Sequence, residues 1–163
     1  MPSSSSASTA VVIDAGVGVA RVLAMSFSPS VRTAWQRWRQ DNVSLYAPSL
    51  WQYETASAIR KSWAAGLISA DEADAGLSTL LNFEVRIIAA DGELIRRAIR
   101  WAERLQQRVA YDGVYIALSE RSGMDFWTTD QRLANGARQA GADWVHWIGE
   151  LVSPAAASTT ANQ

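Results

Sequence analysis

The feature that most constrains the fold is an alternation of short apolar segments and helix-like segments along residues 10–148. The first apolar segment, Ala10–Ile13, is a β-branched run of the kind that forms a strand buried on both faces. Further strands are predicted at residues 43–46, 85–88, 125–128 and 144–147. Because strands separated by helices favour parallel pairing, the pattern predicts a three-layer α/β/α domain with a mostly parallel central sheet.

The helices are predicted from their apolar spacing and their end signals. A helix over residues 49–65 has a buried stripe that includes Trp51, and Gly66 is its expected stop. Ser69 and Glu72 form a capping-box signature for a helix that continues to residue 81. Further helices are predicted at residues 91–105, 111–121 and 131–140.

Both ends of the chain differ in composition from the body. Residues 1–9 are Ser-rich and residues 149–163 are small, polar and aperiodic, so we expect a disordered leader, one domain over residues 10–148 and a flexible tail. The start lacks the basic residues of a secretory signal. No run approaches the ~18–20 apolar residues that span a bilayer. We therefore expect a cytoplasmic protein with no membrane contact.

The composition limits the available chemistry. The absence of Cys excludes disulfides, thiolate catalysis and Cys-based zinc sites, and the single histidine, His146, disfavours a Ser-His-Asp triad. With 15 basic and 16 acidic residues the net charge is −1, so no global positive field attracts nucleic acid. Carboxylates remain as the candidate catalytic groups.

Two aspartates follow predicted strands, where ligands bind in parallel α/β folds. Asp14 comes directly after the first strand, and it is either a ligand-facing carboxylate or a solvated loop residue. Asp130 follows the strand at residues 125–128 and precedes a helix, so capping of that helix is its simpler interpretation. A capping aspartate can still direct one oxygen at a ligand.

Two further acids lie on predicted helices. Asp112 is at the start of the helix at residues 111–121, where capping is again the simpler interpretation. Glu54 borders an apolar stripe and needs a cation or hydrogen-bond donor there, unless it is exposed and pairs with Arg60 or Lys61. If these four acids converge at one edge of the sheet, their repulsion calls for a hard divalent cation, Mg²⁺ or Mn²⁺.

Three segments resemble a known family in the right order. VVIDAGV at residues 11–17, PSLWQYETASAI at residues 48–59 and VAYDGVYIALSERSGMDFWTTDQRL at residues 109–133 are similar to segments of PIN-domain ribonucleases, most closely the VapC-type toxins of toxin–antitoxin pairs. The resemblance covers about residues 10–148 and implies a PIN-like fold. Each motif is short, and the specificity comes from the ordered set.

The resemblance implies a site and an activity. It assigns the family's four acids to Asp14, Glu54, Asp112 and Asp130, and its hydroxyl position to Thr128. The implied activity is RNA hydrolysis with one or two Mg²⁺ or Mn²⁺ ions, and the implied partners are an antitoxin protein and a second copy of the chain.

Two positions depart from the family pattern. Gly16 stands where the family often has Ser, and Ser57 stands where many members have Asn. Neither departure removes an acid, so an active site is expected.

Other interpretations stay open at this stage. The segment at residues 31–41 interleaves Trp35 and Trp38 with arginines, and we favour a helix packed on the sheet over an RNA-binding patch. A phosphoacceptor receiver domain also has clustered acids, but it needs a lysine on a late strand, and Lys61 lies on an early helix. A PIN nuclease without a toxin role and a PIN-like RNA-binding module that does not cleave are further alternatives.

Overall fold

The computed structural model describes residues 9–151, and five strands in this range form one sheet. The strands are β1 (Ala10–Ile13), β2 (Ser44–Pro48), β3 (Val85–Ile88), β4 (Asp125–Thr128) and β5 (Val145–Trp147). Their order is β3-β2-β1-β4-β5, and every neighbouring pair is parallel. The predicted α/β fold class with a parallel central sheet is confirmed.

Seven α-helices flank this sheet within residues 9–151. They are α1 (Ala15–Val22), α2 (Ser28–Gln40), α3 (Leu50–Ala64), α4 (Ala70–Leu81), α5 (Gly92–Arg104), α6 (Tyr111–Ser122) and α7 (Gln131–Gln139). A short 3₁₀ turn, Ile148–Glu150, follows β5. Helix α6 packs against β1, β2 and β4, α5 packs on α6, and α1 packs against α2, α3 and α4.

The central strand is buried on both faces, as its β-branched composition predicts. Val11, Val12 and Ile13 are all part of the core, and β1 pairs with β2 on one side and β4 on the other. This placement puts the carboxyl ends of β1 and β4 next to each other. The residues that follow these two strands therefore start from neighbouring points at one edge of the sheet.

The helix-end signals are confirmed. The Ser69 hydroxyl accepts a hydrogen bond from the Glu72 N–H at 3.1 Å, and the Glu72 carboxylate accepts one from the Ser69 N–H at 2.7 Å. Gly66 has φ +69°, a left-handed conformation that suits glycine after the end of α3. Asp91 caps α5 by accepting a hydrogen bond from the Leu94 N–H.

Of the two helices between β1 and β2, the sequence pattern predicts α2 and does not predict α1. The segment at residues 31–41 is helical as favoured, because α2 buries Trp38 and leaves its arginines exposed. Helix α1 has no clear sequence signal, since its eight residues, AGVGVARV, include glycine and β-branched valine. Its N-cap, Asp14, and burial of Val17 and Val19 stabilise it instead. Strand β2 also extends two residues beyond the predicted end, to Pro48, which pairs with Ile88.

The predictions for the two ends of the chain fall almost entirely outside the described range. The leader at residues 1–9 overlaps it only at residue 9, and the tail at residues 149–163 overlaps it only at residues 149–151. Among the described helices, none combines the length and the apolar character needed to cross a membrane.

Candidate active site

Asp14 connects β1 to α1 and to the end of β4. Its Oδ1 accepts a hydrogen bond from the Val17 N–H at 2.7 Å, which caps α1. Its Oδ2 accepts hydrogen bonds from the Thr128 hydroxyl at 2.6 Å and from the Thr129 N–H at 3.1 Å. Both oxygens are thereby fixed by neighbouring groups, and the carboxylate is held rigidly at the edge of the sheet.

Asp130 begins α7, and the capping interpretation is confirmed. Its Oδ1 accepts hydrogen bonds from the N–H groups of Arg132 and Leu133. Its own N–H donates to the hydroxyl oxygen of Thr128 at 2.9 Å. Thr128 is fully buried, and its hydroxyl links the two aspartates because it donates to Asp14 and accepts from the Asp130 N–H. The second oxygen of Asp130 has no hydrogen-bond partner among residues 9–151.

Glu54 lies on α3 and is half-buried. Its Oε2 accepts a hydrogen bond from the Tyr115 hydroxyl at 2.5 Å. Within the described chain it forms no ion pair with Arg60 or Lys61, so the alternative of an exposed surface pair is wrong. The predicted need for a hydrogen-bond donor is confirmed, and the donor comes from α6.

Asp112 lies in the first turn of α6, but the capping interpretation is wrong for it. The N-cap position of α6 belongs to Ala110, two residues earlier, and it makes no side-chain cap hydrogen bond. The Asp112 side chain instead turns to the loop before the helix, where its Oδ2 accepts a hydrogen bond from Nε2 of Gln107 at 2.8 Å. Its other oxygen has no hydrogen-bond partner in the described part of the chain.

The structure brings all five predicted residues to one cavity of about 170 Å³. Its lining comes from the ends of β1 and β4 and from α1, α3, α6 and α7. The lining residues are Asp14, Ala15, Gly16, Glu54, Asp112, Tyr115, Phe126, Thr128, Asp130 and Leu133. Four carboxylates therefore face a small space that contains no lysine or arginine among its lining residues.

Burial and neighbouring negative charges disfavour ionisation of Asp14, Glu54 and Asp112. Burial raises the pKa of Asp14 to about 6, against the hydrogen bonds from Thr128, Val17 and Thr129, which lower it, and the charge of Glu54 adds to the rise. Burial also raises the pKa of Glu54, which Asp112 increases further, and it raises the pKa of Asp112, to which Asp130 contributes. A cluster of carboxylates with raised pKa values favours either a bound proton or a bound cation.

The donor set fits a hard divalent cation in kind. All candidate ligands are oxygens, and Glu54, Asp112 and Asp130 each retain a carboxylate oxygen with no hydrogen-bond partner among residues 9–151. As their side chains are placed, however, no three Asp, Glu or His residues of the described chain lie close enough together to hold a metal ion. Mg²⁺ commonly takes one or two carboxylates and completes its shell with water, so a full protein cage is not required.

Of the two departures from the family pattern, Gly16 has a steric explanation in this structure. A Cβ built on Gly16 would lie 2.0 Å from the Thr129 hydroxyl oxygen and 3.1 Å from its Cβ. A side chain at position 16 would therefore displace Thr129, whose N–H bonds Asp14. Ser57 is exposed and does not line the cavity. Nothing in the structure explains its identity.

Two residues of the site have no sequence prediction. Tyr115 is 2% exposed, stacks on Phe126 and donates to Glu54. Gln107 holds Asp112 from a loop in which Gln106 has φ +56°. The available signal for Tyr115 is its spacing, because a residue three positions after Asp112 lies on the same face of α6. No comparable signal marks Gln107.

The fold is shared with three solved structures. PAE2754 from Pyrobaculum aerophilum aligns with a TM-score of 0.64 and 19% identity over 86% of this chain and 85% of its own. VapC20 from Mycobacterium tuberculosis, described as a sarcin–ricin loop cleaving toxin, aligns with a TM-score of 0.58 and 14% identity over 77% of this chain and 93% of its own. The chain shares the PIN-like three-layer fold of these structures.

A third structure has the same architecture. A toxin–antitoxin complex from Klebsiella pneumoniae aligns with a TM-score of 0.60 and 11% identity over 85% of this chain and 97% of its own. No protein-family model and no curated protein matches the sequence. The similarity to solved structures therefore establishes the PIN-like fold, and the chemistry has to be argued from the cavity.

Proposed function

We propose that this PIN-like protein is a metal-dependent endoribonuclease that hydrolyses phosphodiester bonds of RNA, and that it is the toxin of a type II toxin–antitoxin pair. The observation that carries the proposal is the cavity with four carboxylates and the Thr128 hydroxyl at the carboxyl edge of a parallel sheet. Mg²⁺ or Mn²⁺ bound there would neutralise the carboxylates, position the scissile phosphate and lower the pKa of an attacking water.

The residues of the chain have separate tasks in this proposal. Asp112, Glu54 and Asp130, each with a free carboxylate oxygen in the described structure, are the proposed cation ligands. Asp14 is the fourth, and its two occupied oxygens make it the most rigid of the set. Thr128 keeps Asp14 oriented, and Tyr115 does the same for Glu54. One carboxylate with a raised pKa can also accept the proton of the attacking water.

The chemistry of the cavity supports hydrolysis over the alternatives. A receiver domain needs a lysine near its acids, and no lysine lines this cavity. A non-cleaving RNA-binding module has no need for four clustered acids that repel one another and repel phosphate. A PIN nuclease of RNA processing without a toxin role has the same cavity, so the toxin role is supported only by the toxin structures among the neighbours.

The toxin role implies two protein partners. We propose a cognate antitoxin and a homodimer, in which helices α3 and α4 form part of the contact surface. These helices pack on each other, and α3 and the turn after it expose large apolar side chains, namely Tyr53 at 73%, Trp63 at 46% and Leu67 at 76%. A small open reading frame directly upstream would support the antitoxin, and sedimentation analysis tests the dimer.

The nuclease proposal is tested with total RNA. The wild-type protein should fragment RNA with Mg²⁺ or Mn²⁺ and leave it intact with EDTA, and Asp14→Asn should abolish cleavage. Asp143→Asn is the matched control, because Asp143 is exposed in the loop before β5 and does not line the cavity. Cleavage in EDTA, or equal cleavage by wild type and Asp14→Asn, would refute the mechanism.

A further inference from the structure

Four arginines form a regular row along one side of α5 and beyond its end. They are Arg96, Arg100, Arg104 and Arg108, and each is exposed. A spacing of four residues places Arg96, Arg100 and Arg104 on one face of α5, about 6 Å apart along the axis, and Arg108 follows in the loop after the helix. None of the four forms an ion pair with another described residue. We call this set the α5 arginine row.

No ion pair stabilises the row within the described fold. Like charges four residues apart on a helix destabilise it by about 0.2–0.5 kcal/mol for each pair. The neighbouring Arg97 shows the contrast, since it pairs with Glu93 at 2.8 Å and with Glu120 at 3.5 Å. The row therefore presents guanidinium groups that are available to an anionic ligand.

The row leads to the acid cavity. Helices α5 and α6 run antiparallel, because Asp91 before α5 pairs with Arg121 near the end of α6 at 2.7 Å. At the opposite end, Gln107 after α5 donates to Asp112 at the start of α6. Arg108 is the next residue after Gln107, so the row runs from the Asp91 end of the α5–α6 pair to the end at which Asp112 lies.

The middle of the row borders a small concave site with an aromatic wall. A cavity of about 240 Å³ is lined by Arg97, Arg100, Trp101, Arg104 and Glu120. The guanidinium carbon of Arg104 lies 4.8 Å from the centre of the Trp101 ring. A guanidinium held on an aromatic face keeps its N–H groups directed outward, where they can bind a phosphate in bidentate geometry.

We propose that the α5 arginine row binds the phosphates of a single-stranded segment of RNA and directs it to the acid cavity. The inference rests on the proposed ribonuclease function and adds the surface that holds the substrate. Net charge is −1 and the cavity is acidic, so a polyanion needs a local positive track to reach it. Exposed Ile95 and Ile99 lie beside the row, so an acidic protein partner is the competing occupant. The direction of the row toward the acids favours RNA.

The test compares two triple variants that change the net charge equally. Arg96→Gln, Arg100→Gln and Arg104→Gln are combined in one variant of the row. The matched control combines Arg32→Gln, Arg37→Gln and Arg39→Gln, three exposed arginines of α2. Binding of a fluorescein-labelled oligouridine is measured by anisotropy over a range of salt concentrations, in EDTA so that no cleavage occurs.

The row variant should lose at least about tenfold in affinity. Its slope of log K against log salt should fall by about 2, since each phosphate contact with a single strand contributes about 0.7. The α2 variant should stay within about twofold of wild type. A single Arg100→Gln variant is measured in parallel, because Arg100 has no hydrogen bond or ion pair in the described chain and its loss should not affect folding. Its slope should fall by about 0.7.

Three results would overturn the inference. They are equal affinities of the two triple variants, no RNA binding by wild type, and a changed oligomeric state of the row variant with unchanged RNA affinity, which would identify a protein-docking face. Because binding is measured in EDTA, its outcome is independent of catalysis. If the protein binds RNA through the row but never cleaves it, the proposed function is contradicted and the inference that the row binds RNA is supported.

Discussion

The Tyr115 hydroxyl offers a sharp test of how the acid cavity is held together. Tyr115 is 2% exposed, and its hydroxyl lies 2.5 Å from Oε2 of Glu54. Tyr115→Phe removes one oxygen and preserves the ring, whose stacking on Phe126 has a centroid distance of 5.6 Å and an interplanar angle of 12°. Any effect of the substitution therefore comes from the loss of the hydrogen bond.

The magnitude follows from the charge of the acceptor. A hydrogen bond to a charged group contributes about 1.5–3 kcal/mol, and Glu54 is half-buried, so water can replace part of it. We expect the free energy of unfolding near neutral pH to fall by about 2 kcal/mol. In a Glu54→Gln background the same substitution should cost about 1 kcal/mol, because the acceptor is then neutral.

The assay is a double-mutant cycle by urea denaturation in EDTA. Wild type, both single variants and the double variant are compared near neutral pH and at lower pH. Because the pKa of Glu54 is raised, this carboxylate becomes protonated at a higher pH than an ordinary glutamate does. The loss of unfolding free energy caused by Tyr115→Phe should therefore decrease as the pH is lowered. Equal losses in the Glu54 and Gln backgrounds would show that the hydroxyl does not act through the carboxylate.

Three further predictions concern the same framework. Thr128→Val should lower the unfolding free energy by about 1–3 kcal/mol and reduce RNA cleavage, whereas Thr128→Ser should retain both, as thermal denaturation and cleavage assays can check. Gly113→Ala should destabilise the fold by about 1–3 kcal/mol in thermal denaturation, because its Cβ would lie 2.3 Å from the carbonyl oxygen of Ala98. Gly136→Ala in α7, whose Cβ would make an ordinary contact with Leu105 at 3.7 Å, should be neutral or stabilising. In EDTA, protonation of Asp14 should stabilise the protein by roughly 3 kcal/mol. Since its pKa is raised from 3.8 to about 6, this contribution is complete below 3.8 and is lost as pH rises through 6. Asp14→Asn should remove that part of the pH dependence in urea titrations.

The parts of the fold that follow from local sequence signals are predictable from the sequence. A buried β-branched run fixes β1, and capping pairs such as Ser69 with Glu72 fix a helix start, because each depends on neighbouring residues alone. Helix α1 has no such signal. Asp14 caps it locally, but the burial of its valines, which stabilises the rest of the helix, is a consequence of the tertiary fold.

The site residues also divide into those that the sequence predicts and those that only the tertiary fold brings together. Asp14 and Asp130 are predictable because parallel strands end at a common edge, and both lie there. The partner of Glu54 is not predictable by position, since Tyr115 is 61 residues away in sequence. The capping interpretation of Asp112 is wrong because the helix begins before it, with Ala110 as the N-cap, and its side chain accepts a hydrogen bond from Gln107 instead. Only a structure shows which of two plausible partners a carboxylate takes.

The central claim is that the acid cavity is one divalent-cation site, and Mn²⁺ binding tests it most directly. Metal-stripped protein is titrated with Mn²⁺, and free Mn²⁺ is followed by electron paramagnetic resonance. Wild type should bind Mn²⁺ saturably and release it to Mg²⁺, and Asp112→Asn should weaken binding at least about tenfold, or about 1.4 kcal/mol. Asp143→Asn should bind as wild type does. Equal Mn²⁺ affinity in wild type and Asp112→Asn, or no binding by wild type, would contradict the account.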